Sequence, residues 1–424
     1  MPRELRRNAE AVGELMNIWR LEPDVDPGFV GVDGAKLDEI AATLREGLDR
    51  GDLLGGAQLA VYRYGKRVLD LGGGLARRRL AEPVRSDTMF VIFSSTKGVA
   101  ALAMLMLYER MKFHYDEPVV KYWPAFDSIV PEKRMITIRQ VMGHRGGFPH
   151  GPDWLRSRFF NDREAIRRAM EEVPLAWTPG EKNGYHALNF GHVLNELVER
   201  IDGRDCGRFL SEEVFTPLGV DDFYVGLPED EALEARVAWV EGALRLISSV
   251  QAVGGTAVGP ATATDAPPVP VTQSTDAFEI PEYSNAFNRP EVHRAVLPAA
   301  GGIATARALG RVYACLALGG ELDGVRIVRQ ESLDHATTPT NRRGEMDQVL
   351  RFPIRWGTGW HMGGYGDGST LRTFGHGGMG GQIAFADPDR GLAFAYCTTG
   401  ELKPLEHTQW RTRLQSLAFA ACRD

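Results

Sequence analysis

The sequence predicts an α+β fold: an antiparallel sheet flanked by helices and split by an all-helical lobe. Strand-like runs cluster near both ends of the chain. AQLAVYRYG meets KRVLDLGGG around Gly65, and GQIAFADPD meets GLAFAYCTT across the turn at Asp387–Arg390. Helical patterning fills the middle, and amphipathic helices flank both strand clusters. Strands from the two ends can therefore share one antiparallel sheet, with the middle inserted between them.

In chain order, residues 1–34 form a polar N-terminal arm. Asp33 then precedes a stretch with Leu37, Ile40, Leu44 and Leu48 on one face, stopping at Gly51, which are helix start and stop signals. The first hairpin follows. SSTKGVAALAMLMLYERM is a strongly apolar helix beginning near Ser94. Residues 120–235 read as mostly helical, with DREAIRRAMEEV and ALNFGHVLNELVERIDG the clearest segments. Residues 251–278, rich in Gly, Ala, Thr and Pro, show no periodicity and are expected to be a long mobile loop. ARALGRVYACLALGG is a helix, the second hairpin follows, and LEHTQWRTRLQSLAFAAC closes the chain as another. The expected division is an α/β lobe from 35–120 and 297–424, and a helical lobe from 121–296 that includes the loop.

Composition narrows the function. Hydrophobic residues are 43% and charged residues 25% of 424, so a large core is available and wholesale disorder is excluded. With 49 basic against 56 acidic residues and no basic patch, nucleic acid is not an expected partner. Cys206, Cys315, Cys397 and Cys422 form no CxxC pair and suggest neither a disulfide framework nor a zinc site. No stretch approaches the roughly 18 apolar residues of a membrane span, and the N-terminus lacks an apolar signal core. The expected compartment is the cytoplasm.

Three segments carry candidate chemistry. In Ser94-Ser95-Thr96-Lys97, an extended apolar run meets a helix N-terminus, and residues three apart on a helix face the same way. Lys97 could thus reach the Ser94 hydroxyl, a weak nucleophile that needs such a neighbour, while free N–H groups at the helix start suit an oxyanion. Alternatively, Ser94 is an N-cap and Lys97 a solvated first-turn residue. Tyr185, in TPGEKNGYHALNFG, sits on a loop after Pro179-Gly180. Beside a lysine ammonium its pKa would fall and it could act as a base; a packed aromatic is the plainer reading. Gly375-His376-Gly377-Gly378-Met379-Gly380-Gly381 contains GxGxxG, but it precedes a strand rather than opening a helix, so dinucleotide binding is rejected. So many glycines beside a strand indicate close backbone approach, as of a substrate along a sheet edge. GxSxG, HExxH and a P-loop are missing, the histidines show no metal-ligand spacing, and His144 reads as a turn residue held by backbone.

Taken in order, SSTK, a Tyr after PG, and HGG before the final hairpin resemble the serine β-lactamase and penicillin-binding protein superfamily, for which SxxK is a signature. The spellings are most similar to its class C branch and to family VIII carboxylesterases. TIRQVMGHRGGFPHG and TFGHGGMGGQIAFADPDRGLAFAY extend the likeness, which spans roughly 35–420. The resemblance implies an α/β lobe split around a helical lobe, with the site between them. It implies Ser94 as nucleophile, Lys97 and Tyr185 as the general base pair, and the backbone N–H groups of Ser94 and Met379 as oxyanion hole. His376, Gly377 and Gly378 would bind substrate. It implies no metal and no cofactor. Where the superfamily has YxN, this chain has Tyr185-His186-Ala187, and where it has KTG, His376-Gly377-Gly378. Those departures touch β-lactam recognition rather than acylation. The expected activity is hydrolysis of short-chain carboxylic esters, a small-molecule substrate, through an acyl-enzyme. A β-lactamase, a D-amino-acid peptidase, an acyltransferase or a non-catalytic binding relative are the alternatives.

Overall fold

The structure, a computed structural model, describes residues 18–51, 53, 55–152, 154–241, 286–400 and 404–423. The loop expected at 251–278 and much of the expected N-terminal arm lie outside the described residues. Strands run in chain order as β1 (Trp19–Arg20), β2 (Gly56–Arg63), β3 (Lys66–Arg77), β4 (Glu82–Pro83), β5 (Phe90–Val91), β6 (Phe223–Val225), β7 (Gly302–Ala304), β8 (Glu321–Leu322), β9 (Val325–Arg326), β10 (His361–Met362), β11 (Phe374–Gly377), β12 (Ile383–Asp387) and β13 (Leu392–Thr398). The longer helices are α1 (Gly34–Asp49), α2 (Thr96–Glu109), α3 (Arg163–Glu172), α4 (Asn189–Asp202), α5 (Ala306–Ala317) and α6 (Pro404–Ala421).

The main sheet is antiparallel in the order β1-β3-β2-β13-β12-β11-β10, with β4 beside β3. The two predicted hairpins join at its centre, where Val61 pairs with Phe394 and Ala60 with Ala395. Alternate residues on these strands differ in size. Leu59, Val61, Phe385, Phe394 and Tyr396 face one way and pack with Leu37, Ile40 and Leu44 of α1 and Leu414 and Ala418 of α6. Ala60, Ala384, Ala386, Ala393 and Ala395 face the other way, against a core that includes Leu309 and Val312 of α5. Both faces are thus buried, one by bulk and the other by close approach. At Gly310 of α5 an added Cβ would press into the Tyr62 ring. The Asp33 carboxylate caps α1 through the Ala35 N–H at 2.9 Å, as its sequence signal predicts.

The middle of the chain is less helical than expected. Besides α3 and α4 it consists of short helical turns, and Phe223–Val225 is a strand. β6 pairs with β7, which pairs with β5, in a three-stranded sheet beside the site. Three residues are too few to show an alternating pattern, and their partner lies some eighty positions away, so local periodicity could not reveal this strand. The described part of the arm adds an edge strand, with the Trp19 indole donating to the Val84 carbonyl at 3.0 Å. Among the described residues no helix is long and apolar enough to cross a membrane.

Candidate active site

The extended run before Ser94 ends in a 3-10 turn, Phe93–Ser95, and α2 begins at Thr96, two residues beyond the predicted start. Phe93 takes the left-handed conformation, φ 44°, which costs energy in a non-glycine residue and turns the chain sharply into the helix. From Thr88 to Leu107 every residue is buried except Ser94. The fold therefore lifts one hydroxyl out of an otherwise enclosed segment.

Two neighbours hold that turn. On one side the Gly302 N–H donates to Thr96 Oγ1 at 2.9 Å and the Ile92 N–H to the Gly302 carbonyl at 2.8 Å. On the other, Ser95 Oγ donates to the His376 carbonyl of β11 at 3.1 Å. Beyond β11, Gly378 lies so close that a Cβ would collide with the Ile92 carbonyl. This contact brings Met379 and its backbone N–H beside the Ser94 turn. The Gln382 amide reinforces it, donating to the Val91 carbonyl at 3.1 Å and the Thr398 carbonyl at 2.7 Å.

Lys97 is wholly buried because α2 is apolar on every face, and its amine has no route to solvent. Its Nζ lies 3.1 Å from Ser94 Oγ, 2.7 Å from the Ala187 carbonyl and 2.9 Å from the Ala299 carbonyl. Burial pushes the ammonium well below the ordinary lysine range, with no carboxylate to counter it. The solvated first-turn alternative is therefore excluded, and burial disfavours a permanent cation beside Tyr185. The tyrosine ring lies under Nζ at 4.8 Å from its centroid, a face that would stabilise an ammonium formed transiently.

Tyr185 is 5% exposed and stacks on Trp356 at 5.6 Å and 10°. Every peptide around it is tied down. The Gly184 N–H donates to the His144 carbonyl at 3.0 Å, the Tyr185 N–H to Asp347 Oδ1 at 3.0 Å, and the His186 N–H to His144 Nδ1 at 3.2 Å. His144 is thus held by backbone, as read from sequence; accepting at Nδ1 fixes its proton on Nε2, and burial keeps the ring neutral. His376 lies on β11 with its ring buried beside Tyr185 and Trp356. Its Nδ1 donates to the Gly377 carbonyl at 2.6 Å, and burial holds its pKa well below the usual histidine range. Gly377, Gly378 and Met379 are half-buried along the same edge.

Sequence reasoning missed Asp347, Trp356 and the Ala299 carbonyl. Asp347 and Trp356 lie more than 150 positions from Tyr185, and a carbonyl leaves no trace in residue type, so no local signal could have found them. Around Phe93, just before Ser94, the apolar residues Phe160, Phe287, Leu188 and Met379 gather, the last two only partly buried. Among the described residues no cluster of His, Cys, Asp or Glu is placed to hold a metal ion.

Comparison with known proteins bears on the fold and family. The family described as Beta-lactamase matches residues 40–418. The chain is 34% identical over 366 residues to Esterase/beta-lactamase LipL of Mycobacterium tuberculosis, covering 84% of this chain and 80% of that one. A penicillin-binding protein homologue from Caulobacter crescentus superposes with a TM-score of 0.78 at 30% identity, covering 96% of this chain and all (100%) of the other. A family VIII carboxylesterase superposes at 0.72 with 26% identity, over 91% of this chain and 99% of that one. Motifs, fold and relatives converge: the chain belongs to the Beta-lactamase family.

Proposed function

We propose that the protein is a carboxylesterase of the family VIII kind, cleaving short-chain esters through an acyl-enzyme on Ser94. The observation that carries this reading is the wholly buried Lys97, its pKa lowered by burial, within hydrogen-bond distance of an accessible serine. A neutral amine has two N–H donors, and the Ala187 and Ala299 carbonyls match them. The lone pair is then left for the Ser94 proton. As Ser94 Oγ attacks the ester carbonyl, Lys97 takes that proton, and the tyrosine face steadies the new ammonium. The N–H groups of Ser94 and Met379 receive the oxyanion, a contribution of ~3–4 kcal/mol for a well-placed donor. Tyr185 gives its proton to the departing alcohol and is reprotonated from Lys97. Water hydrolyses the acyl-enzyme by the reverse path. The apolar group around Phe93 supports a small hydrophobic acyl chain, and the half-buried Gly377 and Gly378 support a substrate laid along the sheet edge beside His376. Four unpaired thiols, Cys206, Cys315, Cys397 and Cys422, support a reducing, cytoplasmic location.

The name of the Mycobacterium tuberculosis relative favours a second, weaker activity on β-lactams. Gripping such a ring takes an amide partner and a cation for its carboxylate. The corresponding positions hold Ala187 and a neutral His376. Losing two polar contacts of ~1–3 kcal/mol each slows the reaction by about 10²–10⁴-fold. Steady-state kcat/KM for p-nitrophenyl butyrate should exceed that for nitrocefin by at least that order. Comparable values would overturn the esterase assignment in favour of a β-lactamase, and no turnover of either would leave a binding protein.

A further inference from the structure

Tyr185 is held by a buried carboxylate. Asp347 is 1% exposed. Its Oδ1 accepts the N–H groups of Tyr185 at 3.0 Å, Val349 at 2.9 Å and Leu350 at 2.9 Å. Its Oδ2 accepts the Asn183 amide at 3.2 Å. The backbone repeats the tie, since the Gln348 N–H donates to the Asn183 carbonyl at 2.8 Å. Residues 346–353 fold into a tight loop closed by a bridge between Met346 and Pro353. That loop carries Val349, which packs with Tyr185, Ala187, Ile354 and Trp356 in one apolar cluster. The carboxylate therefore joins the tyrosine loop to the wall its ring rests on. Two residues further along, the Ala187 carbonyl receives Lys97. A shift of the 183–187 segment would displace the tyrosine and one of the lysine's acceptors together.

We propose that Asp347 is a positioning residue for the reaction: by accepting the Tyr185 N–H and the Asn183 amide, it holds the tyrosine hydroxyl where it can protonate the departing alcohol. This rests on the ester-hydrolase reading. It predicts a dependence on leaving group that a loss of stability alone would not produce. An alkyl alkoxide needs a proton to leave, whereas p-nitrophenolate departs readily without one. Misplacing Tyr185 should therefore harm alkyl esters most.

The test compares kcat and KM on ethyl butyrate and p-nitrophenyl butyrate for the wild type, Ser94→Ala, Asp347→Ala, Asp347→Asn and Asn183→Ala. Asp347→Ala should lower kcat/KM on the ethyl ester about 30-fold more than on the aryl ester, because kcat/KM reports the acylation step in which the alcohol leaves, whereas the acyl-enzyme is the same for both esters. Asp347→Asn keeps Oδ1 as an acceptor, and the Asn183 amide can turn to offer its oxygen. Its ratio of the two rates should stay within about threefold of wild type. Equal losses on both esters in Asp347→Ala, or a large ratio change in Asp347→Asn, would overturn the positioning role while leaving the hydrolase reading intact. Should Asp347→Ala not be recovered folded, Asn183→Ala decides, since it removes only the Oδ2 contact. A several-fold shift in the same direction supports the proposal, and an unchanged ratio overturns it. Turnover retained by Ser94→Ala would instead defeat the hydrolase reading and the proposal with it.

Discussion

Ser94 and Ser95 are adjacent in sequence and opposite in circumstance. Ser94 is the one residue of its segment that reaches solvent, and its Oγ meets Lys97. Ser95 is wholly buried, and its Oγ ties the turn to the His376 carbonyl. Ser94→Ala should abolish ester hydrolysis without a measurable change in melting temperature. Ser95→Ala should retain activity but lose ~1 kcal/mol of stability, the usual net value of one internal hydrogen bond. Denaturant unfolding beside a p-nitrophenyl butyrate assay separates the two, and an inactive Ser95→Ala with a normal Ser94→Ala would exchange the roles given to them. The Ser94–Lys97 pair was legible because a helical spacing of three is local geometry. The charge state of Lys97 was not, because desolvation is set by whatever packs around the amine.

At the scale of elements, the site is a seam. The Phe93–Ser95 turn is gripped by β7 on one side and by the end of β11 on the other. Gly378 is the closest point of the second grip, since its Cα leaves no room for a Cβ beside the Ile92 carbonyl and the Gln382 side chain. Gly378→Ala should push the glycine-rich segment, and the Met379 N–H with it, away from the Ser94 turn. A loss of about 10²-fold in kcat is expected, from misplacing one oxyanion donor. The accompanying loss of stability should be about 1–3 kcal/mol, the ordinary cost of overpacking. A fully active Gly378→Ala would remove Met379 from the oxyanion hole. The glycine run was readable as close backbone approach to something. What approaches it is the protein's own Ile92, which lies nearly three hundred positions earlier.

At the scale of the molecule, the interior stores neutral imidazole. His144, His186, His192, His376 and His407 are all at most 4% exposed, and in each, burial is the leading cause of a lowered pKa. His186 and His407 are brought to about 3 and His192 to about 4. Below the unfolded value of ~6.5 the unfolded chain takes up protons that the folded chain refuses, so stability falls with falling pH. Each such histidine costs up to about 1.4 kcal/mol per pH unit once its unfolded counterpart is charged. A domain's whole stability is of order 5–15 kcal/mol. The melting temperature should therefore fall as pH drops from about 6 to about 4.5. A melting curve unchanged from neutrality to that pH would show that these rings find proton acceptors when charged.

Alternating apolar runs, turn residues and the caps of α1 were enough to specify the two hairpins, their flanking helices and the α+β class, because each signal acts over a few residues. The i, i+3 pair of Ser94 and Lys97, the Tyr after Pro179-Gly180 and the HGG segment marked the candidate chemistry for the same reason. The pairing of β6 with β7, the Ala299 carbonyl on Lys97 and the Asp347 grip on Tyr185 had to wait for the fold. Each joins segments whose sequence separation exceeds any local period. The same holds for the buried lysine: its type and position are in the sequence, but its lowered pKa follows from an enclosure built by helices and strands drawn from the whole chain.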